Sequence, residues 1–223
     1  MQLIERDEYI KTLITEKNSK IGKGIITVIF LFGASYYALL NNWPGSCFCF
    51  LIAGLASLFV AYGKEGIKKI FVPIKGRHKI RTIFKFYLLS IITSCIAVLI
   101  LKPITELNSN PIMDGFNYIE LIKTIPALMG EELFTVCILL FTGAAVYRKT
   151  DNQKLAIIIG VAVSTILFAA LHILTYHSVA QALIGIGLVR IPFTLAILKE
   201  DSIRGGFYVH IAYDWTMFIF NLL

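Results

Sequence analysis

Charged residues are scarce in this sequence of 223 residues. Asp, Glu, Lys and Arg make up only 16% of the chain, whereas hydrophobic residues make up 57% and the mean hydropathy is +0.76. Soluble domains carry about a quarter of charged residues, so this chain has too few to cover a water-facing surface. The composition therefore excludes an ordinary soluble domain, a fibrous protein and a disordered chain. It predicts an all-α, polytopic membrane protein.

Several other sequence signals are absent or weak. The sequence shows no cleaved signal peptide, no internal repeat and no low-complexity tract. Its four cysteines lie in or beside apolar runs, and none has a recurring metal-binding spacing: Cys47, Cys49, Cys95 and Cys137. Neither a disulfide framework nor a zinc knuckle is predicted from them.

The first 24 residues mix charged and apolar side chains. Their apolar positions recur at a spacing that suits a short amphipathic helix, with Glu5, Arg6 and Asp7 among the charged residues between them. We expect residues 1–24 to form an amphipathic segment at the membrane surface. Residues 25–223 then form a single integral membrane domain.

Seven apolar stretches are candidates for crossing the hydrocarbon core, which requires about 20 residues. They cover residues 25–40, 47–62, 83–101, 125–147, 155–174, 179–198 and 207–223. The first two are short and joined by a turn-rich link at 41–45, so the sequence leaves open a full or a shallow hairpin. The prediction is a transmembrane helix bundle of about seven spans.

Basic residues are concentrated in alternate loops. The loop at 64–81 carries seven Lys or Arg residues against one acid, and further basic residues flank the loops near 148–154 and 199–204. The loops between them are neutral or acidic. The positive-inside rule then predicts an N-terminus inside and a C-terminus outside. Contact with anionic lipid headgroups accounts for the net charge of +7, so membrane lipids are expected partners and nucleic acid is not.

Ionisable residues inside apolar spans are costly and mark functional sites. Six stand out here: Glu131, Glu132, His172, Arg190, His210 and Asp214. Each also has a plain structural explanation. The two glutamates could form the acidic first turn of a span, His172 could be a satisfied core residue, and His210 could belong to the polar start of the last span.

The spacing of these residues favours a shared site. Phe168 and His172 lie four residues apart on one helical face, and His210 and Asp214 are related in the same way. Three helices would thus direct ionisable side chains into one interior, which is how helix bundles build sites. A carboxylate with two imidazoles is suited to activating a water molecule and stabilising an oxyanion.

Three short motifs lie in order on successive apolar stretches. They are Glu131–Glu132, then Phe168-Ala-Ala-Leu-His172, then His210-Ile-Ala-Tyr-Asp214. This order resembles the CPBP family of CAAX proteases and bacteriocin-processing enzymes, also called Abi. The pattern of that family is Glu-Glu-x-x-x-Arg, Phe-x-x-x-His and His-x-x-x-Asn/Asp. The match runs from about residue 128 to 214, within a motif-bearing core at about 125–223.

The resemblance implies an intramembrane endopeptidase that trims CAAX proteins or cuts membrane-associated peptides, as in bacteriocin or peptide-pheromone processing. It implies that Glu131 and His172 activate water, that His210 and Asp214 form the oxyanion site, and that Glu132 supports them. It leaves open a metal-dependent or a metal-free reaction, since no His-Glu-x-x-His run is present. No cofactor is certain, and if zinc is bound, the expected ligands are His172, His210 and Glu131.

Two positions depart from the family pattern. Val136 stands where the family has Arg, so Glu132 lacks a cation one helical turn away. We hypothesise that Arg190 in the sixth span replaces that partner, with Phe168 as a supporting residue; the alternative is that Arg190 snorkels to the inner surface. Asp214 stands where Asn is commoner, so it must be protonated, orient His210 or bind a metal.

The absent Arg also leaves a second function open. A member of the same family could act as a non-catalytic bacteriocin self-immunity protein. A small transporter that relays protons through buried acids and histidines is a third possibility, but no paired broken helices favour it.

Counting along the spans raises a geometric problem. Glu131 and His172 lie about 17 residues from the inner ends of their spans, or roughly 25 Å, whereas His210 lies only about 8 to 11 residues in. These residues can meet only if the fourth and fifth spans protrude inside or the link at 199–206 lies deep. The two glycines in that link would allow a close backbone approach.

Overall fold

The computed structural model describes residues 8–74, 79–110 and 117–222, and these ranges contain helices and turns but no strand. The side chains of residues 118, 221 and 222 are not described. The α-helices are α1 (Tyr9–Thr15), α2 (Ile21–Leu40), α3 (Cys49–Ile70), α4 (Lys79–Leu101), α5 (Tyr118–Thr150), α6 (Gln153–Leu171), α7 (Ile173–Tyr176), α8 (Gly187–Glu200) and α9 (Ile203–Leu222). A π-helical turn, Gln181–Ile186, leads into α8.

Six helical segments are long and apolar enough to cross a membrane, so the predicted all-α polytopic bundle is confirmed and the chain is a multi-pass membrane protein. They are Ile21–Leu40, Ser46–Ile70, Lys79–Leu101, Ile119–Thr150, Gln153–Tyr176 and Gln181–Glu200. The predicted seventh span is the 20-residue helix α9, which is not among those six. Which end lies inside stays a prediction. Lys75 and Arg77 of the basic loop, residue 223, and Glu5, Arg6 and Asp7 lie outside the described ranges.

Helix α5 is the centre of the bundle. It is 33 residues long, packs against α1, α2, α3, α6 and α9, and is the most buried of the six candidate spans. The Asn117 side chain accepts hydrogen bonds from the N–H groups of Ile119 and Glu120 and so caps its first turn. Gly160 of α6 lies against the carbonyl oxygen of Leu139, so the two backbones touch without a side chain between them.

Two helical hairpins of unequal length bring their middles together. Helices α5 and α6 turn at residues 151–152, roughly 20 residues or about 30 Å of helix from the glutamate pair. Helices α8 and α9 turn at Asp201, only about nine residues or 14 Å from His210. The turn after α8 therefore lies deep, and the α5–α6 hairpin extends beyond it. This difference in length lets His210 meet the glutamate pair, whereas the depth of either turn in the membrane stays a prediction.

Helix α1 fills the space beside that deep turn. Its apolar residues Ile10, Leu13 and Ile14 are fully buried, with Ile14 against Gly143 of α5. The rest of the protein therefore covers the apolar face of α1, which lies within the predicted amphipathic segment. Its first N–H groups, those of Tyr9 and Ile10, donate to the carboxylate of Asp201, with 2.9 Å from Ile10 N to Oδ1. Burial raises the pKa of Asp201, and these N–H donors oppose that rise.

The cap that Asp201 provides for α1 gives a first prediction. Asp201 has a left-handed backbone (φ 51°), which Asn also tolerates, so Asp201→Asn removes the charge without backbone strain. The Asn side chain has one oxygen for the two N–H groups of Tyr9 and Ile10, so one N–H group loses its acceptor. We expect the free energy of unfolding to fall by about 1 kcal/mol. Thermal unfolding in detergent measures it. Asp151→Asn is the matched control, because Asp151 has the same φ at an exposed helix end. Equal effects of the two substitutions would contradict the cap.

Candidate active site

A cavity of about 560 Å³ opens among α4, α5, α6, α8 and α9. Six of the seven residues predicted for the site line this cavity, and the seventh, Glu132, lies directly behind its wall. The six are Glu131, Phe168, His172, Arg190, His210 and Asp214. The fold thus brings ionisable side chains from α5, α8, α9 and the residue that follows α6 to one hollow within an apolar bundle.

A chain of charged hydrogen bonds forms the wall of the cavity. Both terminal nitrogens of Arg190 donate to the carboxylate of Glu132, with 2.7 Å from Nη2 to Oε2, and both side chains are 0% exposed. The Nδ1 atom of His210 lies 2.7 Å from Oε1 of the same carboxylate. A carboxylate can only accept, so His210 donates through Nδ1 and presents Nε2 to the cavity.

Aromatic rings hold this chain in place. The guanidinium carbon of Arg190 lies 4.6 Å from the ring centre of Phe168 and 5.6 Å from that of Phe193. Phe193 also stacks on His210, with 4.6 Å between the ring centres. Stacked rings and a bidentate ion pair leave Arg190 and His210 little freedom to rotate. Phe168 of the second motif is therefore a packing residue of the site.

The pairing hypothesis for Arg190 is confirmed. Val136, which replaces the family Arg, is buried among apolar neighbours, and Glu132 instead receives its cation from Arg190 of α8. The alternative that Arg190 snorkels to the surface is wrong, because the whole side chain is inside the protein. A guanidinium is thus supplied to the same carboxylate from a different helix.

The two adjacent glutamates point in different directions. One residue corresponds to about 100° of rotation on a helix, so Glu132 faces α8 and α9 while Glu131 faces the cavity. The Glu131 side chain is 27% exposed, and its Oε2 lies 3.8 Å from Nε2 of His210. Glu131 is therefore the carboxylate that a molecule in the cavity can reach.

His172 lies at a break in the predicted fifth span. Helix α6 ends at Leu171, and His172 connects it to the short helix α7. Its Nδ1 lies 3.0 Å from the carbonyl oxygen of Phe168. That oxygen can only accept, so the proton of a neutral His172 is on Nδ1 and its Nε2 carries a free lone pair. A lone pair beside a polar cavity is suited to accept a proton from water.

Asp214 lies one turn after His210 on α9. Its Oδ2 is 3.5 Å from Nε2 of His210. This contact favours the second of the three roles that the sequence allowed, in which the carboxyl group orients the imidazole.

The residues do not form an evident metal centre. Within residues 8–74, 79–110 and 117–222, no group of three His, Cys, Asp or Glu side chains is arranged to hold a metal ion. His210 uses Nδ1 for Glu132, and His172 uses Nδ1 for the carbonyl oxygen of Phe168, so neither bond involves Nε2. The expected zinc ligands His172, His210 and Glu131 stay a prediction, and we derive no step through a metal.

Sequence reasoning missed the residues that cover the cavity. The side chain of Gln181 pairs with the backbone of Asn108, accepting from its N–H at 2.9 Å and donating to its carbonyl oxygen at 2.8 Å. Asn108 also donates to the carbonyl oxygen of Tyr176 at 2.6 Å. The segment after α4 is thereby fixed over the cavity. The sequence offered one signal for this contact, which was a polar residue, Gln181, at the start of an apolar span.

One of the comparisons with known proteins agrees with the motifs. The family model described as Rce1-like, type II CAAX prenyl endopeptidase Rce1-like, matches residues 117–216. These residues contain all three motifs and Arg190. The searches of curated proteins and of solved structures gave no match.

The buried ion pair leads to a second prediction. Removing one partner of such a pair leaves an uncompensated charge and costs about 3–5 kcal/mol, so Arg190→Leu should destabilise the protein by that amount. The double variant Arg190→Glu with Glu132→Arg restores an ion pair and should recover part of the loss in thermal unfolding. It should not recover activity, because a guanidinium would then face Nδ1 of His210. A double variant no more stable than Arg190→Glu alone would contradict the pair.

Gly206 gives a third prediction. A Cβ atom at this position of α9 would lie 2.6 Å from Oε2 of Glu132 and 2.5 Å from Cγ1 of Ile197. We expect Gly206→Ala to lower the unfolding temperature and the activity together. Gly33→Ala in α2 is the control, since nothing lies within 4 Å of its added methyl group, and helix propensity there favours Ala by about 1 kcal/mol. Equal stabilisation by both changes would show that α9 does not approach Glu132 closely.

Proposed function

We propose, from the premise that residues 117–216 belong to the Rce1-like family of type II CAAX prenyl endopeptidases, that this chain hydrolyses a peptide bond within the membrane. The observation that carries the proposal is one cavity lined by Glu131, His172 and His210, with a buried ion pair behind it. The substrate class we propose is a membrane-associated peptide or protein, as in bacteriocin or peptide-pheromone processing.

Water activation is the first step of the proposed reaction. Glu131 is the only one of the two glutamates that faces the cavity, and the free Nε2 lone pair of His172 is available in the same cavity. A water molecule between them loses a proton to one of these bases as its oxygen attacks the carbonyl carbon of the substrate. The proton then passes to the leaving amine as the C–N bond breaks.

Stabilisation of the oxyanion is the second requirement. His210 donates through Nδ1 to a carboxylate that Arg190 also binds, and its Nε2 faces the cavity near Asp214. A protonated His210 therefore carries a fixed N–H donor for the negative oxygen that forms on the attacked carbonyl. Glu132 and Arg190 act as positioning residues, since Glu132 accepts the hydrogen bond that orients His210 and Arg190 holds Glu132 in place.

One argument for the alternative, a non-catalytic self-immunity protein, becomes weaker. That argument was the missing Arg at position 136. Arg190 provides a guanidinium to Glu132 by another route, so the constellation around the cavity keeps its cation. No observation of the described residues favours the proton-relaying transporter.

A set of variants tests the proposed activity. Glu131→Gln, His172→Ala and His210→Ala should each lower cleavage of a membrane-associated peptide by at least about 100-fold. General acid–base groups such as Glu131 and His172 contribute about 10² to 10⁴, and an oxyanion donor such as His210 contributes about 10² to 10³. Glu120→Gln on the same helix is the control, since Glu120 forms only a surface pair with Lys123. The assay is peptide cleavage by the purified protein, alongside any protective phenotype of cells that express it. A phenotype that survives all three substitutions would assign the protein to the non-catalytic alternative.

A further inference from the structure

A second cavity of about 610 Å³ lies between α4 and α9 on the outside of the bundle. We call it the α4–α9 groove and define it by residues 79–87 of α4 and 204–212 of α9, with Pro73 and Ile74 at its end. Its walls are mostly apolar, and they include Ile83 and Phe84 from α4 and Tyr208 and Ala212 from α9. No residue is common to this groove and the active-site cavity.

Hydrogen bonds between the two helices separate the groove from the active site. The hydroxyl of Tyr87 lies 3.0 Å from that of Thr216, and the hydroxyl of Tyr213 donates to Ser94 at 2.9 Å. Beyond these bonds, the same two helices line the active-site cavity. The groove is thus a separate feature that opens away from the bundle.

Two cations lie at one end of the groove. Lys79 is the first residue of α4, and Arg204 is the second residue of α9. Neither forms an ion pair with any residue in the ranges that the structure describes. Both helices also begin at this end, so the positive ends of their dipoles add to the positive potential. The charge here is complementary to an anion.

The remainder of the groove is an exposed apolar surface. Ile80 is 75% exposed and Phe84 is 57% exposed, both on membrane-spanning α4. From Lys79 to Tyr87 the groove follows about 12 Å of helix, which is long enough for part of an acyl chain. A ligand that fits has an anionic group at one end and a hydrocarbon chain at the other.

We propose that the α4–α9 groove binds an anionic phospholipid. The phosphate lies between Lys79 and Arg204, and an acyl chain lies along Ile83, Phe84 and Tyr208. Basic pockets between membrane helices at the inner surface bind anionic headgroups in this manner. The groove is on the side that the loop charges place inside, where anionic lipids are available. The inference does not depend on the proposed peptidase activity.

Lipid binding to the full chain in a neutral detergent tests this inference. Phosphatidylglycerol and phosphatidylcholine with the same acyl chains are added, and retained lipid is measured by native mass spectrometry together with the unfolding temperature. We expect phosphatidylglycerol to be retained in preference and to raise the unfolding temperature. Lys79→Gln with Arg204→Gln should weaken its binding by about 30-fold, since each basic residue near an anionic headgroup contributes about fivefold.

Matched variants separate the groove from general basicity. Lys64→Gln with Lys154→Gln removes the same charge from exposed positions outside the groove and should leave binding unchanged. Lys79→Arg with Arg204→Lys keeps the charge and should retain the lipid. The wild-type protein alone also tests the idea. Equal retention of the two lipids would overturn it, and so would glycerol 3-phosphate matching the full lipid, which would indicate a free anion site. An unchanged affinity in the groove variant would also overturn it.

Discussion

A guanidinium buried in a membrane protein needs a negative charge beside it. The rest of the site depends on the residue that supplies this charge here. Arg190 has no contact with solvent, so the carboxylate of Glu132 has to stand opposite it. The same carboxylate accepts from His210. One ion pair therefore fixes the positions of α5, α8 and α9 relative to one another, and it sets the direction in which the imidazole faces the cavity.

The ion pair gives two neighbouring residues of α5 different roles. Glu132 is committed to the ion pair and excluded from the cavity, whereas Glu131, rotated by one position on the helix, remains reachable. A carboxylate already neutralised by a guanidinium and an imidazole makes a poor base. A partly exposed carboxylate beside an oriented histidine makes a better one. The chemistry proposed for Glu131 thus follows from the structural role of Glu132.

The sequence predicted the helical class, most of the span positions and the set of residues that meet at the cavity. It succeeded because ionisable residues inside apolar runs are rare and because the family resemblance left Glu132 without a cation at position 136, so Arg190 could be matched to Glu132. It did not predict the end of α6 at His172, because nothing in the apolar run around that residue interrupts the helical pattern. It also missed the pairing of Gln181 with Asn108 and the cap of Asp201 on α1. The two residues in each contact are separated by 73 positions in one case and 191 in the other. Local sequence patterns do not encode contacts over such separations.

The depth of the turn between α8 and α9 links the N-terminal helix to the chemistry. Because that turn lies well inside the end of the α5–α6 hairpin, His210 can reach Glu132 only a few turns into α9. The space left outside the turn is occupied by α1, whose first N–H groups donate to Asp201. Because Gly206 packs closely against Glu132, the position of the turn also constrains the position of the ion pair. A helix of seven residues, far from the motifs in sequence, thereby supports the element that carries the third motif.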